Sequence, residues 1–326
     1  MTPVLSLLDL AVVGREQTVQ EGLAGTVALA QAAERCGYER VWYAEHHNNP
    51  SIASSATSVL IAHVAAHTKR IRLGAGGVML PNHAPLIIAE QYGTLASLHP
   101  GRIDLGLGRA PGTDPTTMRA LRRDARSAES FPDDVAELGA YLRGESLLPG
   151  VNAYPGKGTD VPLYILGSSL FGAKLAAAMG LPYAFASHFA PAALEDAVAA
   201  YRSEFRPSEQ LAEPYVIAGV GAIATDTGEE AAAQLLTAQR RRVQLLLPPG
   251  RTLTDEEADA VLASPHGRQM MDMMRYTAVG TREEVGTYLT EFAEHARADE
   301  LIIALHADQV EQRVRAAEII AEAMAG

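Results

Sequence analysis

The sequence predicts one eight-stranded (β/α)8 barrel of the TIM type across residues 1–326, and three observations carry that prediction. Short β-branched runs alternate with longer segments of helical period. The strand-like runs are apolar throughout, as parallel strands buried on both faces are. Eight such units can be found along the chain, which favours a closed barrel over an open doubly wound sheet.

The first strand is expected at residues 4–8, followed by a helix with Val19, Leu23, Val27 and Ala30 on one stripe. Strands at 40–43, 71–73 and 102–107 come next. Between and after them lie helices over 52–67, around Ile88, Tyr92 and Leu95, and over 132–142, the last with proline in its first turn. Strands at 163–166, 183–186, 215–224 and 301–305 complete the set. A helix opens at Ser168 or Ser169, and another buries Leu194, Ala197, Val198, Tyr201 and Phe205. Thr227-x-x-Glu230 has the form of a capping box. Asp308-x-x-Glu311 has it too, ahead of a closing helix striped by Val310, Val314, Ala317 and Met324.

Residues 240–279 break this rhythm. They hold Leu245-Leu246-Leu247-Pro248-Pro249-Gly250, a helix capped at Thr254, and Met270, Met271, Met273 and Met274. Long insertions in barrels commonly cover the active face, so the segment reads as a lid, with an external helical hairpin as the alternative. The methionines serve as core filler or as an adaptable wall for an apolar ligand.

Composition narrows the function. With 27 basic and 39 acidic residues the formal charge is −12, which repels phosphate backbones and argues against nucleic acid as a partner. Cys36 stands alone, so no intrachain disulfide can form, in keeping with a reducing cytosol. Residues 1–14 are apolar but contain Asp9 and no Lys, which reads as a buried first strand and not a secretory signal. No apolar run approaches bilayer length, so no membrane association and a cytoplasmic location are expected.

Barrel chemistry sits at the C-terminal ends of the strands. After the second strand come Glu45-His46-His47, where a histidine can move protons near neutral pH. The competing reading is a hydrogen-bonded structural pair. A metal site is disfavoured, because adjacent residues of extended chain face opposite ways. After the third strand, Gly74-Ala75-Gly76-Gly77 lets the backbone approach a flat ligand, or turn a tight corner. After the fourth comes Gly106-Leu107-Gly108-Arg109-Ala110-Pro111-Gly112, whose spacing does not fit a dinucleotide fingerprint. Arg109 there suits a phosphate or pairs with a loop carboxylate. Gly167, Ser168 and Ser169 precede a helix, as an anion site or a plain serine cap. His188 and Phe189 follow the sixth strand, flanking the mouth or merely packing its loop. Together these residues suit a planar cofactor with a phosphate tail. Asp9, His47 and His188 are the candidates for the substrate pocket.

Three segments carry a family resemblance. Cys36-Gly37-Tyr38-Glu39-Arg40-Val41-Trp42-Tyr43-Ala44-Glu45-His46-His47 resembles the second-strand region of bacterial luciferase and its relatives. Leu73-Gly74-Ala75-Gly76-Gly77-Val78-Met79-Leu80-Pro81 and Pro100-Gly101-Arg102-Ile103-Asp104-Leu105-Gly106-Leu107-Gly108-Arg109 resemble their third and fourth strands. Asn82-His83-Ala84-Pro85, Ala110-Pro111-Gly112-Thr113-Asp114 and Ser187-His188-Phe189-Ala190-Pro191 are closer to luciferase-family oxidoreductases of bacteria than to the light-emitting enzymes.

The resemblance implies a TIM barrel that binds FMN non-covalently and oxidises a small organic molecule with O2. The reduced flavin would come from a separate reductase or be made in place by NAD(P)H. His46 matches the family's catalytic histidine, and Gly76 and Gly77 the backbone beneath the flavin, where relatives carry a cis peptide. Arg109, Gly167, Ser168 and Ser169 match the phosphate site, with Arg122, Arg123 or Arg126 as a second phosphate arginine. A homodimer paired through early helices is implied as well. Two positions depart from luciferase itself: Gly108 replaces a reactive cysteine and Ser168 a glutamate, which argues against aldehyde oxidation and light emission. The alternatives are an F420-dependent hydride-transfer enzyme, a non-catalytic flavin-binding protein and a metal-dependent hydrolase; no metal is expected.

Overall fold

The computed structural model describes residues 2–14, 16–245 and 253–325. Its strands are β1 (Val4–Asp9), β2 (Arg40–Tyr43), β3 (Arg72–Met79), β4 (Ile103–Gly108), β5 (Leu163–Gly167), β6 (Tyr183–Phe185), β7 (Val216–Ala224), β8 (Thr277–Gly280) and β9 (Glu300–Leu305). All pair in parallel. β1 to β7 neighbour one another in order, and β9 lies between β7 and β1, so eight strands close into a barrel.

The helices form the outer layer: α1 (Val19–Cys36), α2 (Thr57–His67), α3 (Pro85–Leu98), α4 (Pro115–Ala120), α5 (Phe131–Arg143), α6 (Leu170–Met179) and α7 (Leu194–Glu204) come first. α8 (Gly228–Leu245), α9 (Asp255–Ala263), α10 (Pro265–Met271), α11 (Arg282–His295) and α12 (Val310–Met324) follow. Among the described residues no helix is long and apolar enough to cross a membrane.

The eighth strand in chain order is the one the sequence does not announce. β7 has nine residues, and β6 pairs only with its first three. β8 takes up the vacant edge at Gly221–Ala224. It overlaps the end of the expected insertion, and four residues are too few to show alternation. β3 is longer than expected because its glycines stay in the sheet. The strand pairs with β4 as far as Met79 opposite Gly108, with a register shift between Ala75 and Val78 around a cis Gly76–Gly77 peptide.

Within the insertion, Leu246-Leu247-Pro248-Pro249-Gly250 lies outside the described residues. α9 begins after a complete Thr254–Glu257 capping box, as expected. Val243, Leu253, Ala258 and Met270 form a small cluster of their own, separate from the barrel core. The other expected cap is corrected. Gln309 is the N-cap of α12, and Asp308 instead pairs with Arg241 of α8. The buried stripe of α12 is corrected too: it runs through Arg313, Ala316, Ala317, Ile320 and Met324. An arginine in that stripe is tolerated because Asp9 faces it at 3.5 Å.

Side chains alternate across each strand. Leu7, Val41, Leu73, Leu105, Ile165 and Ile303 turn outward to the helices and build the main core. The interior is a separate, graded stack. At the N-terminal end Arg40 donates to Glu300 (2.9 and 3.2 Å), Asp104 (2.8 Å) and Tyr164 (2.8 Å). Arg72 and Trp42 also donate to Asp104, and Tyr215 donates to Glu300 at 2.9 Å. Burial alone would weaken the charge of Arg40, but Glu300 and Asp104 outweigh it and hold the guanidinium protonated. Above this floor lies an apolar layer of Leu8, Trp42, Tyr164, Ala184, Ile217 and Ile302.

The floor predicts a stability effect. Arg40→Met leaves Glu300 buried without its cation and Asp104 with Arg72 alone, and should lower the unfolding free energy by about 3–5 kcal/mol. Urea denaturation reads this directly. A loss below about 1 kcal/mol would show that the network is dispensable.

Candidate active site

The interior positions shrink towards the C-terminal end of the barrel. Trp42 gives way to Ala44, Leu8 faces Gly76, and Ile217 gives way to Gly219 and Gly221. The space so vacated is a cavity of about 750 Å3 at the mouth, within the range of small-molecule and cofactor sites. Gly76 is essential to its floor: a Cβ there would stand 2.8 Å from the Cβ of Trp42 and 2.9 Å from Leu8. A groove of about 870 Å3 between α11 and α12 lies outside the barrel, and its Arg315 is already paired with Asp226.

Alternation sorts the Glu45-His46-His47 run. His46 continues the inward series of Trp42 and Ala44 and lines the cavity. Its Nδ1 is buried and has no protein partner. Burial lowers the pKa of His46; the Ala44 carbonyl and Glu45 oppose the shift without cancelling it. Glu45 and His47 face the other way. Glu45 accepts from His47 Nε2 (2.7 Å), His83 Nε2 (2.9 Å) and the Met79 amide (3.0 Å). Burial would raise the Glu45 pKa, but these bonds prevail and hold it below the usual carboxylate value. His47 thus braces the end of β3 and does not line the cavity.

Arg109 follows β4, lines the cavity and stacks on Phe171, 4.0 Å from the ring centroid. No carboxylate among the described residues pairs with it. Ser169 is the N-cap of α6, yet its side chain bonds no backbone amide. The first amides of α6 therefore point towards the mouth beside Ser168 without a side-chain acceptor. Arg122, Arg123 and Arg126 do not line the cavity; Arg123 reaches the Asn82 carbonyl and Arg126 pairs with Asp124.

The rest of the wall is built by β6, β7, β9 and α8. His188 and His306 pack over Gly219 and Gly221, and each has one buried ring nitrogen without a partner. Burial pushes the His188 pKa down to about 3 and that of His306 to about 4, with Arg242 adding to both shifts. Asp9 sits at the cavity edge, but its carboxylate is taken by the Ala11 amide (2.9 Å), Thr26 (2.9 Å) and Arg313. His306, Arg241, Arg242 and Arg313 line the cavity without having been singled out from the sequence. His306 directly follows the last strand and was legible by the strand-end rule. The arginines belong to helices and gave no such signal. Met274 alone of the methionine group reaches the cavity. Among the described residues no cluster of His, Cys, Asp or Glu is suited to a metal ion.

Fold and site together define a parallel barrel with an anion end, a glycine floor and histidines at one mouth. The sequence profile of the luciferase-like monooxygenases matches residues 5–300. YvbT of Bacillus subtilis (strain 168) is 46% identical over 323 residues, covering 98% of this chain and 96% of its own. A luciferase-like monooxygenase of Escherichia coli (strain K12) is 44% identical, over 93% of this chain and 91% of its own. The N-acetyl-S-alkylcysteine monooxygenase of Bacillus subtilis is 33% identical, over 92% and 91%. Among solved structures, apo-MsnO8 has a TM-score of 0.89 with 34% identity and 98% of both chains covered. The chain belongs to the luciferase-like monooxygenase family.

More distant structures share the fold alone. The FMN complex of the oxygenating constituent of 3,6-diketocamphane monooxygenase from Pseudomonas putida has a TM-score of 0.73 at 16% identity, covering 99% of this chain and 98% of its own. An F420-dependent secondary alcohol dehydrogenase has 0.72 at 15%, with the same coverage.

The two neutral histidines make stability depend on pH. In the unfolded chain they take up protons below about pH 6.5, and in the folded chain only near 3 and 4. Their contribution is complete above about pH 6.5 and is lost as the pH falls from there towards the folded values. The urea midpoint should fall between pH 7 and 5, and His188→Gln/His306→Gln should flatten that slope. An unchanged slope in the double variant would rule out these imidazoles as its source.

Proposed function

We propose that this chain is an FMN-dependent monooxygenase that oxidises a small organic substrate with O2. The observation that carries the reading is the unpaired Arg109 beside the uncapped start of α6, opening onto a floor that only glycine permits. Arg109 and the α6 amides would hold the phosphate. Gly76 and Gly77 would bear the flat ring. The N-acetyl-S-alkylcysteine named for one relative is consistent with a small substrate.

Reduced FMN, when bound, supplies the electrons that activate O2, and those come from NAD(P)H directly or through a separate reductase. The protein's own work is positioning, drying and proton handling. Leu8, Trp42 and Ile302 form a water-poor base beneath the reacting region. Burial favours the neutral form of His46, and its imidazole, which lines the cavity, is where a proton would be exchanged. Relatives in fold hold FMN or F420. One free guanidinium beside α6, among the described residues, suits a single phosphate better than the longer anionic tail of F420.

Titration with FMN, followed by flavin fluorescence, tests the cofactor. Arg109→Ala should weaken binding by about tenfold or more. F420 binding tighter than FMN would overturn the choice of cofactor. His46→Ala should keep its FMN affinity while O2-dependent turnover falls roughly 10²–10⁴-fold. Undiminished turnover would remove His46 from the chemistry, and flavin uptake with no reactivity towards O2 or NAD(P)H would leave a binding protein only.

A further inference from the structure

Besides Arg109, the cavity wall holds a positive charge that no described residue neutralises. Arg109 follows β4, whereas Arg242 lies on α8 after β7, three strands further round the closed barrel. The charged residues of the cavity wall are Arg109, Arg241, Arg242 and Arg313 against Asp9 and Asp308. Arg313 faces Asp9, and Arg241 pairs with Asp308. That leaves Arg109 and Arg242, in a chain whose net charge is −12. Arg109 stands at the phosphate end already described.

Arg242 is a different case. Its Nε is buried without a partner, and a terminal nitrogen touches only the thioether of Met273, at 3.3 Å. His188 and His306 lie within its electrostatic reach, and each adds a buried ring nitrogen that bonds nothing. Glycine makes the arrangement possible. A Cβ on Gly219 would stand 2.3 Å from His188 Nδ1, and one on Gly221 2.5 Å from His306 Nε2. β7 thus gives up two interior side chains to seat imidazoles that find no protein partner. Those two ring nitrogens are sealed against β7, so what the cavity offers a ligand is the Arg242 guanidinium and the other edge of each imidazole.

We propose that Arg242, with His188 and His306 beside it, binds the carboxylate of an acidic organic substrate in the mouth of the barrel. The proposal rests on the flavin monooxygenase reading for the word substrate, but the anion site stands on its own geometry. Both imidazoles are neutral at pH 7, so Arg242 brings one full charge and the site takes one monoanion. The rest of the molecule then lies over the apolar layer of Leu8, Trp42 and Ile302, towards His46.

Isothermal titration calorimetry at neutral pH tests this on FMN-loaded protein, with straight-chain carboxylates from acetate to octanoate and their primary amides. Within the panel, the best-bound acid should bind about tenfold or more tighter than its amide. Arg242→Gln should bring that pair to within about twofold while FMN affinity stays unchanged. No acid outbinding its amide would overturn the proposal, as would a preference that survives in Arg242→Gln. Loss of FMN affinity in that variant would also overturn it, by giving Arg242 to the cofactor. Repeating the panel on flavin-free protein separates the two readings: a chain that refuses FMN yet prefers acids retains the carboxylate site and loses the flavin.

Discussion

A closed barrel has to fill its own interior, and in this chain the filling is graded from charged, through aromatic and aliphatic, to almost nothing. Arg40 with Glu300 and Asp104 occupies one end, and Trp42, Tyr164 and Ile217 the middle. Glycine and alanine take the interior positions at the other end, which is why a cavity opens there and not elsewhere along the axis. Trp42 and Tyr164 meet edge to face at 4.9 Å, and their layer is both the ceiling of the ionic floor and the base of the site. Filling the upper positions with ordinary side chains would give a more fully packed barrel with no room for a ligand.

The ionic floor is an expensive way to close a barrel, because ions removed from water must recover their hydration from one another. Its use here follows from geometry. One guanidinium reaches carboxylates on β4 and β9 and a phenol on β5, and Arg72 and Tyr215 complete the set. A slip in strand register would break several of these bonds together, so the network favours a single alignment of the strands. The site above depends on that alignment, since His46, Arg109, Ser168, His188 and His306 all hang from strand ends.

Charge in the mouth runs against that of the whole molecule. An acidic protein places four arginines around one cavity and neutralises two of them internally. Low-dielectric walls make the remaining charges effective at short range. Burial keeps His188 and His306 uncharged beside Arg242, which prevents repulsion among neighbouring groups that could all carry positive charge. Burial favours the neutral form of His46 as well.

The sequence by itself determined the count of strand–helix units and the strand ends that bear chemistry, though it placed His47 in the pocket from which strand parity turns it away. These are local properties: apolar periodicity, a two-residue repeat and position after a strand. Asp9 illustrates its limit, since it is polar and well placed along the chain but already bonded to Thr26 and Arg313, which only folding brings near. Tertiary structure alone decided that Arg313 belongs in a buried stripe, that Asp308 pairs with Arg241 in place of capping α12, and that β8 fills the free edge of β7. It also brought Arg242 of α8 to the histidines that follow β6 and β9. The physical reason is common to all of them: pairing across a closed barrel depends on which strands and helices meet in space, and no local pattern encodes a partner more than fifty residues away.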